Sequence, residues 1–178
     1  MSQAESEVGS ISAVEELLAI EEIKRVFAAR LRCMDTKQWH VYPTLHTADV
    51  VSETWGGGLP TDKQPKTGDT SNQVVGIDKL TAAIRNMLDG DIPPLTTAHH
   101  AHTPEIVLTS PTTATGIWAM EDMLWWNDGE KELHLHGYGH YHEKYRKEDG
   151  KWLISYRTLT RLRVDQDPPG FFRFMKAL

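Results

Sequence analysis

At 178 residues, 39% of them apolar, the chain has the size of one domain and enough material to bury a core. A net charge of −6, with lysine and arginine scattered rather than striped, excludes the electropositive face a phosphate backbone requires, so nucleic acid is not an expected partner. No apolar run approaches the roughly 20 residues of a membrane-crossing helix, and the single cysteine, Cys33, excludes an internal disulfide and points to a reducing compartment, the cytoplasm.

Residues 1–11 are polar and acidic and read as a disordered tail, not a secretory signal. Ser12-Ala13-Val14-Glu15 has the form of a capping box. Leu17, Leu18, Ile20, Ile23, Val26, Phe27, Arg30 and Leu31 follow at helical spacing, which predicts an amphipathic helix to about Met34. Cys33, beside Leu31 and Met34, reads as a buried structural thiol. Asp35 falls at the helix C-terminus, where the negative end of the dipole disfavours a carboxylate; it is either a solvated turn residue or a functional one.

Trp39 to His46 predicts a short second helix, and Asp49 to Trp55 a strand. Gly56-Gly57-Gly58-Leu59-Pro60 and the polar residues through Asn72 form a long loop. It has neither the lysine nor the following helix of a phosphate cradle, and reads as a cover over a cavity mouth. Gly76-Ile77-Asp78 opens a third helix carrying Leu80, Ile84 and Leu88, which Asp89-Gly90 ends.

From Leu95 the pattern turns to strands: Thr96 to Thr109, Thr113 to Trp126, Glu132 to Lys147 and Lys151 to Val164. Ser110-Pro111, Asn127-Asp128-Gly129 and Glu148-Asp149-Gly150 separate them as turn signals. The expected fold class is α+β, with three N-terminal helices against a curved, mostly antiparallel sheet and a hydrophobic cavity between them, in a cone-shaped domain over residues 12–165. Residues 166–178, with Pro168-Pro169-Gly170-Phe171-Phe172, form an apolar tail that caps the pocket or lies on a neighbouring subunit.

Strand alternation puts His99, Ala101 and Thr103 on one face and His100 and His102 on the other, so one face holds a single imidazole among small residues. Asp122 shares its side of a strand with Trp118, Met120, Leu124 and Trp126. A carboxylate on an apolar face is costly unless paired or functional, and Asp122 is either a substrate contact or a buried bracing residue. His134, His136, His140 and His142 also share a face, but consecutive same-face residues on a strand lie about 6.5 to 7 Å apart, too divergent for one metal ion. No metal and no cofactor are expected there. That face is a polar exterior or a subunit contact; if it lines the cavity instead, His136 or His140 becomes a second acid–base group. Of six tryptophans, Trp55, Trp118 and Trp126 suit a cavity wall for a hydrophobic ring-bearing molecule.

Three features in order carry a resemblance: the helix ending in Asp35, the His99–Ile106 strand, and Gly139-His140-Tyr141-His142-Glu143-Lys144-Tyr145 followed by Asp149-Gly150-Lys151-Trp152. Together they resemble the SnoaL-like branch of the nuclear transport factor 2-like superfamily, over residues 12 to 165. The resemblance implies a cone-shaped fold, a pocket closed by helices, and a catalytic Asp–His pair at Asp35 and His99. It makes Arg30 the basic residue that precedes the aspartate in the branch's dehydrochlorinase; the bile-acid dehydratases have a tyrosine near there, a departure. It makes Asp122 their second aspartate. Trp118, Trp55 and Tyr141 would support the substrate. The implied activity is a cofactor-independent lyase of dehydratase type acting on an aromatic, terpenoid or steroid-like molecule. Alternatives are formaldehyde elimination from lignin-derived diols, isomerisation, or a non-catalytic carrier or scaffold. A homo-oligomer, trimer before dimer, is the implied assembly.

Overall fold

The computed structural model of the chain describes residues 11–53, 73–90, 95–127 and 129–167. In chain order these form α1 (Ala13–Asp35), a 3₁₀ turn (Tyr42–Leu45), β1 (His46–Ser52), β2 (Val74–Val75), α2 (Ile77–Asp89), β3 (Thr96–Ser110), β4 (Thr113–Asn127), β5 (Glu132–Glu148) and β6 (Lys151–Asp167). One curved, unclosed six-stranded sheet runs in the order β2-β1-β6-β5-β4-β3. Every pairing is antiparallel except β1 with β6. The architecture is α+β, with two α-helices among the described residues where three were expected. The Trp39–His46 segment makes only a four-residue 3₁₀ turn, with Pro43 at its start; so short a piece cannot meet the cost of nucleating an α-helix.

Local chemistry explains the element ends. The Ser12 hydroxyl accepts the Glu15 N–H at 3.3 Å while the Glu15 carboxylate takes the Ser12 N–H at 2.8 Å, which starts α1. At the β5–β6 hairpin Asp149 and Gly150 both have positive φ, 48° and 77°, the geometry that matches the twist of the two strands. Beyond its first turns α1 buries Ala19, Ile23, Phe27, Arg30, Leu31 and Met34 against the sheet. Leu17 and Leu18, counted in the apolar stripe from spacing, are exposed.

On β5 the odd-numbered residues from Leu133 to Tyr145 face the helices, and the even-numbered ones, including all four histidines, face outward. Alternation fails on β3. A bulge between Ala101 and Pro104 sets Pro104, not Thr103, opposite Trp118, and Thr103 is exposed. Proline cannot donate to the ladder, so the register slips there.

The inner face is filled by large rings. Phe27 stacks on Trp118 with centroids 4.1 Å apart, Tyr141 meets Phe27 edge-on at 5.6 Å, and the Trp118 indole N–H donates to the Tyr145 hydroxyl at 2.9 Å. Beside them His46, buried, donates from Nδ1 to the Tyr42 carbonyl at 2.9 Å, and its Nε2 has no partner. Burial, and then the Arg30 charge, push its pKa down to about 3. An unfolded histidine titrates near 6.5, so between these values the unfolded chain binds more protons, and stability present above pH 6.5 is lost as the pH falls toward 3. Urea titrations should show about 2 kcal/mol less stability at pH 5 than at pH 7.5 from this residue. In His46→Asn that pH slope should flatten; an unchanged slope would place the acid sensitivity elsewhere.

Candidate functional site

The site begins at the end of α1. Asp35 is its last residue, and its side chain meets β3. The Asp35 Oδ1 accepts from the His99 ring Nδ1 at 2.6 Å and from the Thr97 hydroxyl at 2.8 Å, and Oδ2 accepts the His99 backbone N–H at 3.0 Å. Three donors on one carboxylate answer the electrostatic objection to an acid at a helix C-terminus. Burial pushes Asp35 up, but the hydrogen bonds from the His99 ring and backbone and from Thr97 outweigh it and hold its carboxyl below the usual carboxylate range. An anionic Asp35 makes Nδ1 the protonated ring nitrogen and leaves Nε2 its lone pair. The two side chains are 23% and 8% exposed, so the imidazole is largely shielded from water while its partner reaches the surface.

His99 stands directly opposite Asp122 in the β3–β4 ladder, so both side chains lie on one face. Asp122 is buried and held by Arg161 through two hydrogen bonds of 2.6 and 2.5 Å. Arg161 comes from β6, two strands away, and must cross β5 to reach it. It crosses at Gly137, where a Cβ would overlap both the guanidinium and the carboxylate. The glycine is therefore what lets an aspartate and an arginine from non-adjacent strands meet. The inner face thus offers, in order, Asp35, His99, and the Asp122–Arg161 pair.

Arg30 does not join them. It is fully buried, donates to Glu143 Oε1 at 3.0 Å, and lies against the Phe27 and Tyr141 rings at 5.2 and 5.0 Å. One turn of helix separates it from Asp35 in sequence, yet its guanidinium is spent inside the core. Trp118 and Tyr141 are likewise packed among other rings. Trp55 lies outside the described residues, as do Gly56-Gly57-Gly58 and the 168–178 tail.

Three residues that sequence reasoning passed over belong here. Thr97 is two positions before His99 and so on the same face, a signal that alternation contained. Lys37 places its ammonium 3.5 Å from the Thr97 hydroxyl. Arg161 had no local signal at all. On the opposite face of the sheet, Glu121 accepts from His136 at 2.9 Å, with His100 and His102 at 3.7 and 3.6 Å. Among the described residues no group of three or more His, Cys, Asp or Glu side chains is arranged to hold a metal ion. A groove of about 610 Å³ runs along α2, lined by Pro43, Asp78, Thr81, Ala82, Arg85, Asn86, Asp89 and Gly90, and includes neither Asp35 nor His99. No described helix is long and apolar enough to cross a membrane.

A sequence model of the SnoaL-like domain matches residues 15–158. Among solved structures the chain is similar to a scytalone-dehydratase-like protein from Novosphingobium aromaticivorans, at 16% identity and a TM-score of 0.69, covering 86% of this chain and 91% of that one. It is similar to a type 2 hexachlorocyclohexane dehydrochlorinase at 16% identity and a TM-score of 0.67, covering 90% and 100%. The type 3 enzyme from Novosphingobium barchaimii matches at 13% identity and 0.68, covering 89% and 96%. At such identities the likeness is one of fold.

Proposed function

Because the chain belongs to the SnoaL-like family, we propose that it is a lyase in which His99, oriented by Asp35, is the base. The observation that carries this reading is the 2.6 Å contact between Asp35 and the His99 ring, with the second carboxylate oxygen fixed on the His99 backbone N–H. An imidazole so held presents one basic nitrogen in one direction. The substrate would be a small hydrophobic ring-bearing molecule with a hydroxyl or another leaving group next to an acidic C–H bond. Nε2 takes the proton and the C–H electrons become the new double bond. The hydroxyl departs with its bonding pair and collects the proton from the imidazolium, for net loss of water. Asp122 and Arg161, paired on the same face, would hold the leaving group or a carbonyl.

The family position and the fold support the lyase class. A homo-oligomer, trimer before dimer, belongs to the same reading, since no described element covers the outer sheet face, on which Val107 and Ile117 are exposed.

The test is a panel of hydroxylated aromatics, steroids and lignin-type diols followed by ultraviolet absorbance, with formaldehyde assayed in parallel and tryptophan fluorescence reporting binding. New conjugation without formaldehyde, abolished in His99→Ala while binding persists, supports the dehydratase reading. Formaldehyde release moves the reaction to carbon–carbon cleavage by the same base. Turnover unchanged in His99→Ala overturns the site.

A further inference from the structure

Helical spacing offers Arg30 as the cation that offsets the buried charge of Asp35, and the structure commits Arg30 to Glu143 instead. Another cation stands at the dyad. Lys37 follows the C-cap of α1 and has φ of +55°, the left-handed region that a lysine rarely occupies. The Gln38 N–H bonds back to the Cys33 carbonyl at 2.9 Å and the Lys37 N–H to the Met34 carbonyl at 3.4 Å. This is the helix ending in which glycine normally takes the left-handed position. The strained backbone carries a side chain that reaches β3, where the Lys37 ammonium donates to the Thr97 hydroxyl at 3.5 Å. That hydroxyl in turn donates to Asp35 Oδ1 at 2.8 Å.

From these two independent observations, a left-handed lysine where glycine would serve and an ammonium bonded to the donor of the dyad's carboxylate, we infer that Lys37 is a positioning residue. Acting through Thr97, it holds the Asp35 carboxylate as the anion that orients His99. The inference rests on the Asp35–His99 reading and adds to it the source of the balancing charge. The charged groups acting on this ammonium are Asp89 and Asp35. Asp89 closes α2 and is held by the Trp39 indole N–H at 2.8 Å. Burial pushes the Lys37 ammonium below the usual lysine range, against the pull of Asp89 and Asp35, and the side chain is part-buried where it meets Thr97.

The experiment reads Asp35 itself. Protein carrying carboxyl-labelled aspartate is titrated by carbon NMR, with the Asp35 signal assigned from Asp35→Asn, in the native chain and in Lys37→Met, Lys37→Arg and Lys37→Gly. Lys37→Met should move the Asp35 midpoint up by about half a pH unit or more, the scale of one charge a few ångströms away in a partly exposed site. Lys37→Arg should restore it. Lys37→Gly relieves the backbone and should raise Tm, yet should shift Asp35 as the methionine variant does. This variant keeps the test open if the methionine chain folds poorly. An Asp35 midpoint that stays put in Lys37→Gly while Tm rises overturns the inference and makes the lysine a helix end only. The titration needs no substrate, so its failure is separate from failure of the lyase reading, which His99→Ala turnover decides.

Discussion

Asp35→Asn should lower turnover by about 10²- to 10⁴-fold while leaving the fold intact. The carboxylate serves three donors: the Thr97 hydroxyl and the His99 ring at Oδ1, and the His99 backbone N–H at Oδ2. An asparagine has one oxygen to offer. With its oxygen at Oδ1, the amide NH₂ points at the His99 backbone N–H, donor against donor. With its oxygen at Oδ2, the NH₂ faces Nδ1 and forces that nitrogen to accept, so the proton moves to Nε2 and the base is lost. Either way the ring is misprotonated or displaced, and the expected signature is a loss in kcat with little change in KM. Steady-state kinetics on whichever panel compound is turned over measures it. A variant within a factor of a few of the native rate would show that His99 works without its acid.

Glu143→Ala should cost about 3 to 5 kcal/mol of stability, read as a fall in Tm of roughly 6 to 20 °C. Glu143 is the buried carboxylate that accepts from Arg30, and Arg157 is buried close by, its Nη1 at 3.5 Å from the Tyr42 hydroxyl. Burial, and then the neighbouring Arg30 charge, already push the Arg157 guanidinium below its usual range. Guanidinium groups do not shed their protons in proteins. Without Glu143, two cations face each other in the core, and neither has water to turn to. Replacing Arg30, Glu143 and Arg157 together with methionine, leucine and methionine should recover most of the loss, because uncharged residues of similar volume incur no desolvation cost. Calorimetry of the single and triple variants tests both halves. If the single variant melts with the native protein, the electrostatic account of this core is wrong.

Asp35 shows how far a single position is legible from its place on a helix. A carboxylate at a helix C-terminus is anomalous by itself, and the anomaly singled out Asp35. What resolves it, three donors from β3, could not be read from the helix. The β3 to β6 strands were legible to within about three residues because period-two alternation and turn chemistry are local. The short helix expected over 39–46 is only the 3₁₀ turn Tyr42–Leu45, because spacing does not report length, and nucleation of an α-helix depends on length. The place of Thr103 on the His99 face was lost to a bulge at Pro104, a two-strand event that one strand's pattern does not contain.

Composition, caps, alternation and turns therefore determined the class of fold, most element ends, and which face of β4 and β5 is apolar. These depend on neighbours within a few residues, where backbone geometry alone sets what can touch. Only the tertiary structure decided partners: Arg30 with Glu143, Asp122 with Arg161 across Gly137, and Lys37 with Thr97. A charged side chain's role is set by whatever charge lies nearest in space. In a sheet ordered β2-β1-β6-β5-β4-β3, that neighbour sits tens of residues away along the chain.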